Sequence, residues 1–240
     1  MAIYAISDLH GCKDEFDQML KKIRFSEYDY MWIIGDVCDR GRHSIALLQE
    51  IMSHSNMHLI YGNHDLWLSR YAQALIDAKK GTAPYPQSID FQTWICFNGG
   101  NLTADEFMDL PIQECYDIKL YLENRILFQR LEYSGRHYLM IHAGLEEHCH
   151  RNTIMESVPE QELLWSHIGI DDNPFPDTVM IVGHTPTFLY GRQYENRILK
   201  SEHNLIHIDC GCVYGRTLGC IRLNDMQEFY VPSSCKYLKV

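Results

Sequence analysis

The sequence has no apolar run long enough to cross a membrane, and no linker that would divide it. Its start enters a strand-like run directly, without the basic and then apolar pattern of a secretion signal. We therefore expect a soluble, cytoplasmic protein that does not bind membranes. Neither a Pro/Gly-rich tract nor an internal repeat interrupts the 240 residues, of which 46% are hydrophobic. This favours a single domain over residues 1–240.

Positive charge is also scarce. Lys and Arg together number 21 against 32 Asp and Glu, which gives a net charge of -11. Because nucleic-acid backbones bind to positively charged surfaces, we expect no nucleic-acid partner. The acidity does not exclude a phosphorylated substrate, since metal ions in a site would dominate the local field.

The nine cysteines form no C-x-x-C pair and have no regular spacing. This pattern argues against a disulfide framework and against a zinc ribbon. The nearest approach to a pair is Cys210-Gly211-Cys212, and we interpret all nine cysteines as free thiols.

Short apolar runs alternate with patterns of helical period along much of the chain. Strands are predicted at 2–7, 31–34, 57–61, 138–141, 179–182, 205–208 and 219–223, and helices at 14–24, 45–52, 66–80 and 160–167. The alternation of strand, polar loop and helix is typical of β-α-β units. It predicts an α/β fold with a largely parallel sheet.

The pattern weakens over residues 81–110, where prolines and a Gly-Gly pair punctuate the sequence. We interpret this region as part of an irregular and helical insertion around residues 66–130, which either forms a cap that shapes the substrate site or packs as a helical subdomain. Its aromatic residues Tyr85, Phe91, Trp94 and Phe97 are expected in the core in either case.

One heptad stands out, Gly35-Asp36-Val37-Cys38-Asp39-Arg40-Gly41, directly after an apolar run. Two carboxylates and a guanidinium on one loop could hold a divalent cation and a phosphate side by side.

Five apolar runs end in Asp, Asn or His with a glycine close by. The polar residues are Asp8 and His10, Asp36, Asn63 and His64, His142, and His184. Because loops at the carboxyl ends of parallel strands share one edge of a sheet, we expect these side chains to converge. The other histidines lack this context and are assigned to the structure or the surface: His43, His54, His58, His137, His148, His150, His167, His203 and His207.

Ligand chemistry narrows the choice of ion. Asp8 and His10 are two residues apart, so on an extended segment their side chains leave on the same side. A mixture of carboxylate, imidazole and amide oxygen suits Mn²⁺, Fe or Zn²⁺ better than Ca²⁺. A carboxylate such as Asp36 can bridge two ions held about 3.5–4 Å apart.

Taken together, the motifs resemble the phosphoprotein phosphatase branch of the calcineurin-like metallophosphoesterases. The matching blocks are Asp-x-His-Gly, Gly-Asp-x-x-Asp-Arg-Gly, Gly-Asn-His-Asp, His-Ala-Gly and Gly-His-Thr, in the family's order over about three quarters of the chain. Residues 208–215 also look like the final strand region of small bacterial and phage-type members. The resemblance implies a four-layer α/β sandwich of two packed mixed β-sheets flanked by helices.

The resemblance also implies roles for individual residues. Asp8 and His10 would bind one metal, Asp36 would bridge, and Asn63, His142 and His184 would complete the second site. His64 would be the general acid, oriented by Asp39, and Arg40 would clamp the phosphoryl oxygens. Arg40, Asn63 and His64 would contact the substrate. Arg192 and Arg216 are candidates for a second phosphate-binding arginine.

The function expected on this basis is a two-metal phosphoesterase, with Mn²⁺ favoured and Fe or Zn²⁺ as alternatives. We expect a phosphoserine/phosphothreonine protein phosphatase that uses direct attack of a hydroxide held between the metals. The alternative is a symmetrical dinucleoside tetraphosphate hydrolase, since Asp65-Leu66 resembles those enzymes whereas Asp39-Arg40 resembles the protein phosphatases. The substrate would accordingly be a phosphorylated protein, a small phosphate ester or a dinucleotide. A silent phosphate-binding scaffold is disfavoured because every chemical position of the motifs is filled.

Overall fold

The computed structural model describes residues 1–124, 126–146 and 149–235, so the assignment made for His148 lies outside the described residues. The strands are β1 (Ile3–Ile6), β2 (Tyr30–Ile34), β3 (Met57–Ile60), β4 (Phe128–Tyr133), β5 (Arg136–Ile141), β6 (Thr178–Val182), β7 (Leu199–Lys200), β8 (Leu205–His207), β9 (Thr217–Arg222) and β10 (Gln227–Pro232). The α-helices are α1 (Lys13–Ile23), α2 (Ser44–Ser53), α3 (Asn63–Lys79), α4 (Ile89–Phe97), α5 (Gly100–Asp109), α6 (Ile112–Glu123) and α7 (Glu160–Trp165).

The strands form two sheets of five, in the orders β10-β9-β1-β2-β3 and β4-β5-β6-β8-β7. Within each sheet three neighbouring strands are parallel, namely β1-β2-β3 in the first and β5-β6-β8 in the second. The other strands pair antiparallel. The predicted α/β class and the pair of mixed sheets flanked by helices are confirmed, whereas the expectation of a largely parallel sheet holds only for these two triplets. The prediction missed β4, β7 and β10 because these edge strands are short or half-exposed and lack a buried apolar run.

The two sheets pack face to face through one apolar cluster. Ala5, Ile34 and Ile60 of the first sheet contact Met140 and Ile181 of the second within this cluster. The outer faces of the sheets are covered by helices, as separate clusters on either side show. Because strands such as β2 are covered on both faces, their sequences are apolar without alternation.

Helices α3 to α6 fill the region between β3 and β4. Phe91 and Trp94 of α4 are fully buried among residues of α3 and α5, as predicted. The same prediction was wrong for Tyr85, which is 39% exposed, and for Phe97, which is 83% exposed. Only one face of helix α4 is buried. Phe97, the last residue of the helix, lies beyond this packed face.

Among the described helices, none has both the length and the apolar composition that crossing a bilayer requires. The cytoplasmic location stays a prediction.

Candidate active site

The polar residues that follow the apolar strands converge where β1, β2, β3, β5 and β6 end. The structure brings together all the residues predicted for the site, Asp8, His10, Asp36, Asp39, Arg40, Asn63, His64, His142 and His184. All except Arg40 and His184 are buried. The parallel strand triplets in both sheets explain this convergence, because they direct their carboxyl ends to the same edge.

The backbone at this edge is unusual. Of the eleven non-glycine residues with positive φ among the described residues, six are predicted site residues, Asp8, His10, Asp36, Asp39, Arg40 and His184. The left-handed region is unfavourable for residues with a Cβ and persists where surrounding structure enforces it. Such a concentration of strain makes these loops candidates for a functional site.

Asp36 joins two groups of potential metal ligands. One oxygen, Oδ2, lies 3.4 Å from His10 Nε2, and the other, Oδ1, lies 3.4 Å from His142 Nε2. The first group consists of His10, Asp36 and His64, and the second of Asp36, His142 and His184. A carboxylate shared in this way has the geometry expected of a bridging ligand.

Asn63 and Asp8 lie at the second group. The Asn63 Oδ1 oxygen is 3.0 Å from His142 Nε2 and 3.1 Å from His184 Nδ1. The Asp8 carboxylate accepts the backbone N–H of His184, at 3.2 Å and 3.1 Å to its two oxygens. Asp8 therefore lies beside His184 and is not part of either group of three.

The imidazoles are arranged as metal-binding imidazoles are. Nδ1 of His10 donates to the carbonyl oxygen of Cys38 at 2.8 Å, and Nδ1 of His142 donates to that of Ile34 at 3.1 Å. In His10 the lone pair of Nε2 therefore points into the site, where Arg40 Nη1 lies 2.6 Å away. The Nε2 atom of His142 faces the oxygens of Asn63 and Asp36. The two imidazoles, with the carboxylate between them, fit a pair of divalent ions.

Burial and neighbouring charges set the protonation of these rings. Burial, reinforced by the charge of Arg40, holds the pKa of His10 well below its ordinary value. Burial and the charge of His142 lower the pKa of His184 to about 3. Burial alone would lower the pKa of His142, but the charges of Asp36 and Asp8 outweigh it and raise that pKa to about 10.

His64 is held by a buried carboxylate. Its Nδ1 lies 2.8 Å from Asp39 Oδ2, and its Nε2 lies 2.9 Å from Nη2 of Arg40. The indole N–H of Trp94 donates to the same Asp39 oxygen at 2.8 Å. Helix α5 adds the hydroxyl of Thr103, which accepts the Asp39 backbone N–H at 2.9 Å. No motif predicted a site role for Trp94 or Thr103, since both belong to a region without a recognisable pattern.

Asp65 closes the loop after β2. Its carboxylate accepts the backbone N–H groups of Gly62, Asp36, Val37 and Cys38 at 2.9–3.2 Å. It therefore holds the strained backbone of Asp36 in place. Sequence reasoning used Asp65 only to compare families, although its position directly after Asn63-His64 signals a role at the site.

Two further residues border the site without having been predicted. Asp209 is buried, and after burial its charge is the next cause that raises the pKa of Asp8. Burial raises the pKa of Asp209 itself to about 6. It follows the apolar strand β8 with a glycine close by, so the same pattern that found the other residues could have found it. His167, assigned to the structure or the surface, is exposed, and its ring lies at a tilt of 32° to that of His184 with centroids 5.1 Å apart.

The two candidates for a second arginine differ in their surroundings. Arg216 pairs with Glu195 at 3.2 Å and lies over the ring of Phe188. Arg192 is exposed on a 3₁₀ turn. Arg40 itself lies 5.4 Å from the ring centroid of Tyr214.

Glycines make room for the ligands. A Cβ on Gly35 would lie 2.2 Å from His142 Nδ1, and one on Gly183 would lie 2.3 Å from Asp8 Oδ2. Because such contacts are impossible, any side chain at either position would displace a predicted ligand.

Comparison with known proteins gives consistent findings. The sequence profile of a family described as calcineurin-like phosphoesterase matches residues 1–215. A symmetrical bis(5'-nucleosyl)-tetraphosphatase of Dechloromonas aromatica is 26% identical, with the match covering 98% of this chain and 97% of that protein. Its counterpart in Nitrosomonas europaea is 25% identical over 97% of this chain and 98% of its own length.

Solved structures share the fold. A putative diadenosine tetraphosphatase superposes over 97% of this chain and 93% of its own, with a TM-score of 0.63 at 17% identity. A protein serine/threonine phosphatase of Saccharomyces cerevisiae covers 100% of this chain and 82% of its own, with a TM-score of 0.59 at 13% identity. Both substrate classes considered from the sequence therefore occur on this fold.

Proposed function

The chain belongs to the calcineurin-like phosphoesterase family, and from this premise we propose that it is a two-metal hydrolase of dinucleoside tetraphosphates. Hydrolysis of a phosphate ester or anhydride is supported above all by the shared carboxylate of Asp36, which joins two buried ligand groups. The choice of substrate is supported by the relatives that match along nearly their whole length. This reverses the order of preference that the motifs alone suggested.

The predicted ligands are proposed to hold two divalent ions, with Mn²⁺ favoured and Fe or Zn²⁺ as alternatives. They are Asp8, His10, Asp36, Asn63, His142 and His184. His64 also belongs to the first group of potential ligands, but it is assigned to proton transfer. When bound, such a pair supplies positive charge to phosphoryl oxygens and lowers the pKa of a water.

The remaining residues are proposed to act on the substrate directly. Arg40 reaches between His10 and His64, so its guanidinium can grip phosphoryl oxygens in two places. His64, oriented by Asp39, is placed to give a proton to the leaving oxygen. Asn63 presents its amide to the same space and is proposed to contact both metal and substrate.

A second candidate is hydrolysis of phosphoserine or phosphothreonine in proteins, and the Asp39–His64 pair favours it. An alkoxide leaving group needs protonation, whereas the nucleoside diphosphate released from a tetraphosphate is a far weaker base and leaves without much help. A buried, carboxylate-oriented histidine is therefore of most use to a monoesterase. The helical region over the site supports this histidine–carboxylate pair, because Trp94 donates a hydrogen bond to the Asp39 carboxylate.

Parallel kinetics on one preparation test the proposal. We expect manganese-loaded protein to cleave diadenosine tetraphosphate to ADP with a kcat/KM at least about tenfold above that for a phosphoserine peptide. The reverse order would transfer the assignment to the second candidate. Binding of both without turnover would support the silent scaffold instead and overturn the proposed enzyme.

Arg40→Ala sharpens this comparison. A terminal phosphoryl group offers three free oxygens to a guanidinium, and an internal phosphate offers fewer. We expect the substitution to cost roughly 2–4 kcal/mol of transition-state stabilisation with phosphoserine and less with the tetraphosphate. Equal losses on both would argue against Arg40 as a clamp for terminal phosphoryl groups.

A further inference from the structure

A second cluster of potential metal ligands lies outside the site described above. We call Cys12, Glu15 and Cys235 the Cys12 cluster. The two sulfur atoms are 3.4 Å apart, and the ligand atoms of all three residues lie within 4.8 Å of one another. Cys12 precedes α1, Glu15 lies in its first turn, and Cys235 belongs to the segment after β10. The cluster joins residues that are 223 positions apart, so the sequence did not reveal it.

Glu15 is a buried acidic residue beside the two thiols. It is 1% exposed, and its Oε1 oxygen accepts the backbone N–H and the hydroxyl of Ser234 at 2.6 Å and 2.7 Å. The neighbouring Lys13 is engaged by Asp17 at 2.6 Å and by Glu50 at 2.8 Å, and no described residue forms a salt bridge to Glu15. A buried carboxylate without a cation is costly, so the cluster favours a positive ion.

The cluster is accessible from solvent. A cavity of about 380 Å³ is lined by Gly11, Cys12, Glu15, Arg42, Ser234 and Cys235. Cys235 is half-buried on its wall. Hydrogen bonds from outer groups to ligand atoms, like those from Ser234 to Glu15, are typical of metal sites.

We propose that Cys12, Cys235 and Glu15 bind a Zn²⁺ ion, separate from the phosphoesterase centre. Two thiolates and a carboxylate are ligands that zinc takes in tetrahedral sites, and water from the cavity supplies the fourth position. Two thiolates at zinc bond lengths in a tetrahedron lie about 3.8 Å apart, so the two sulfur atoms, at 3.4 Å, need to separate only slightly. Binding releases the two thiol protons to solvent and compensates the charge of Glu15.

The ion would fix the segment after β10 to the loop that carries His10. Cys12 follows Gly11, whose backbone is packed so tightly against Gly41 that a Cβ there would lie 2.6 Å from its carbonyl carbon. Gly41 in turn follows Arg40. The zinc site would therefore hold the segment after β10 beside two loops of the candidate active site.

Cobalt substitution tests the site directly. Thiolate ligands give Co²⁺ a charge-transfer band in the near ultraviolet, and the predicted ligands of the phosphoesterase centre include no cysteine. We expect the band in Co²⁺-loaded wild-type protein and its loss in Cys235→Ser, while visible bands of the other cobalt ions remain. Bound zinc in protein purified with zinc should fall by about one equivalent in the same variant.

Two variants serve as matched comparisons. Cys96→Ser removes an exposed thiol on α4 and should leave the band and the zinc content unchanged. Glu15→Gln keeps the size of the side chain and should weaken zinc binding at least about tenfold, since an anionic ligand becomes neutral. No charge-transfer band in fully loaded wild-type protein would overturn the proposal. So would a band that persists in Cys235→Ser, or a Cys12–Cys235 disulfide found by peptide mapping under non-reducing conditions.

Discussion

At the scale of single residues, the site depends on side chains that serve two neighbours at once. Asp36 offers one oxygen to His10 and the other to His142, and its Oδ1 also accepts the backbone N–H of His64. Asp39 Oδ2 accepts from both His64 and Trp94. Because each shared carboxylate is buried, removal of one partner leaves a polar atom without compensation. Substitutions at these positions should therefore have specific effects on chemistry.

The role of His64 can be tested through the leaving group. If it protonates the leaving oxygen, His64→Asn should lower kcat much more for a phosphoserine peptide than for p-nitrophenyl phosphate, whose leaving group needs little protonation. Asp39→Asn should show the same bias more weakly, because Asp39 acts through His64. Steady-state kinetics on the two substrates check this. Losses of equal size for both would exclude His64 as the acid.

His207 provides a separate prediction about pH and stability. It is fully buried against the ring of Tyr190, and burial lowers its pKa to about 4. Unfolded protein therefore binds a proton at His207 that folded protein does not bind between about pH 6.5 and pH 4. The stabilisation is complete above the unfolded pKa and is lost as the pH falls through this window.

Between roughly pH 7.5 and pH 5 we expect the free energy of unfolding to fall by about 2 kcal/mol more in wild-type protein than in His207→Phe. Urea unfolding of metal-free wild-type and variant protein at the two pH values measures the difference. Metal is removed from both proteins so that loss of active-site ions on acidification does not contribute to the measured difference. If both proteins lost the same stability on acidification, His207 would not titrate as described.

At the scale of elements, the helices over the site stabilise the loop after β2. Trp94 of α4 binds the Asp39 carboxylate, Thr103 of α5 binds the Asp39 backbone, and the carbonyl of Gly99 accepts the N–H of Arg40 at 2.9 Å. Three contacts from one insertion thus fix two consecutive residues with positive φ. This region positions the site as well as covering it.

Trp94→Phe tests this positioning role. The substitution keeps the aromatic packing and removes the N–H donor, so Asp39 should hold His64 less firmly. We expect kcat for the phosphoserine peptide to fall about fivefold to tenfold, the scale of one typical hydrogen bond, and to fall less for p-nitrophenyl phosphate. Phe97→Leu, at an exposed position of the same helix, should change neither rate. A loss independent of the leaving group would indicate a purely structural role.

The elements also show what a sequence pattern can reveal. Strands β1, β2, β3, β5, β6 and β8 were predicted because both faces are buried and their apolar runs are continuous. Each site residue at their ends could then be found from its type and position. The edge strands β4, β7 and β10 and the donors on α4 and α5 could not, because short or half-exposed strands carry a weak pattern and Trp94 approaches Asp39 only through tertiary packing.

At the scale of the whole molecule, the packed sheets explain how distant residues form one centre. Asp8 and His184 are 176 positions apart, yet the backbone of one binds the carboxylate of the other. The first sheet contributes Asp8, His10, Asp36 and Asn63, and the second contributes His142 and His184. The centre therefore lies where both sheets end, and it requires the packing between them. The net charge of -11 does not oppose this chemistry, since ions bound there would set the local field.

Asp36 is proposed to bridge two metal ions on which hydrolysis depends. Metal analysis combined with p-nitrophenyl phosphate turnover, carried out on wild-type protein, Asp36→Asn and His10→Asn, tests it most directly. We predict that Asp36→Asn loses more bound metal and more activity than His10→Asn, because Asp36 contacts both ligand groups and His10 only one. Full wild-type metal content in purified Asp36→Asn, together with near-native turnover, would contradict the account.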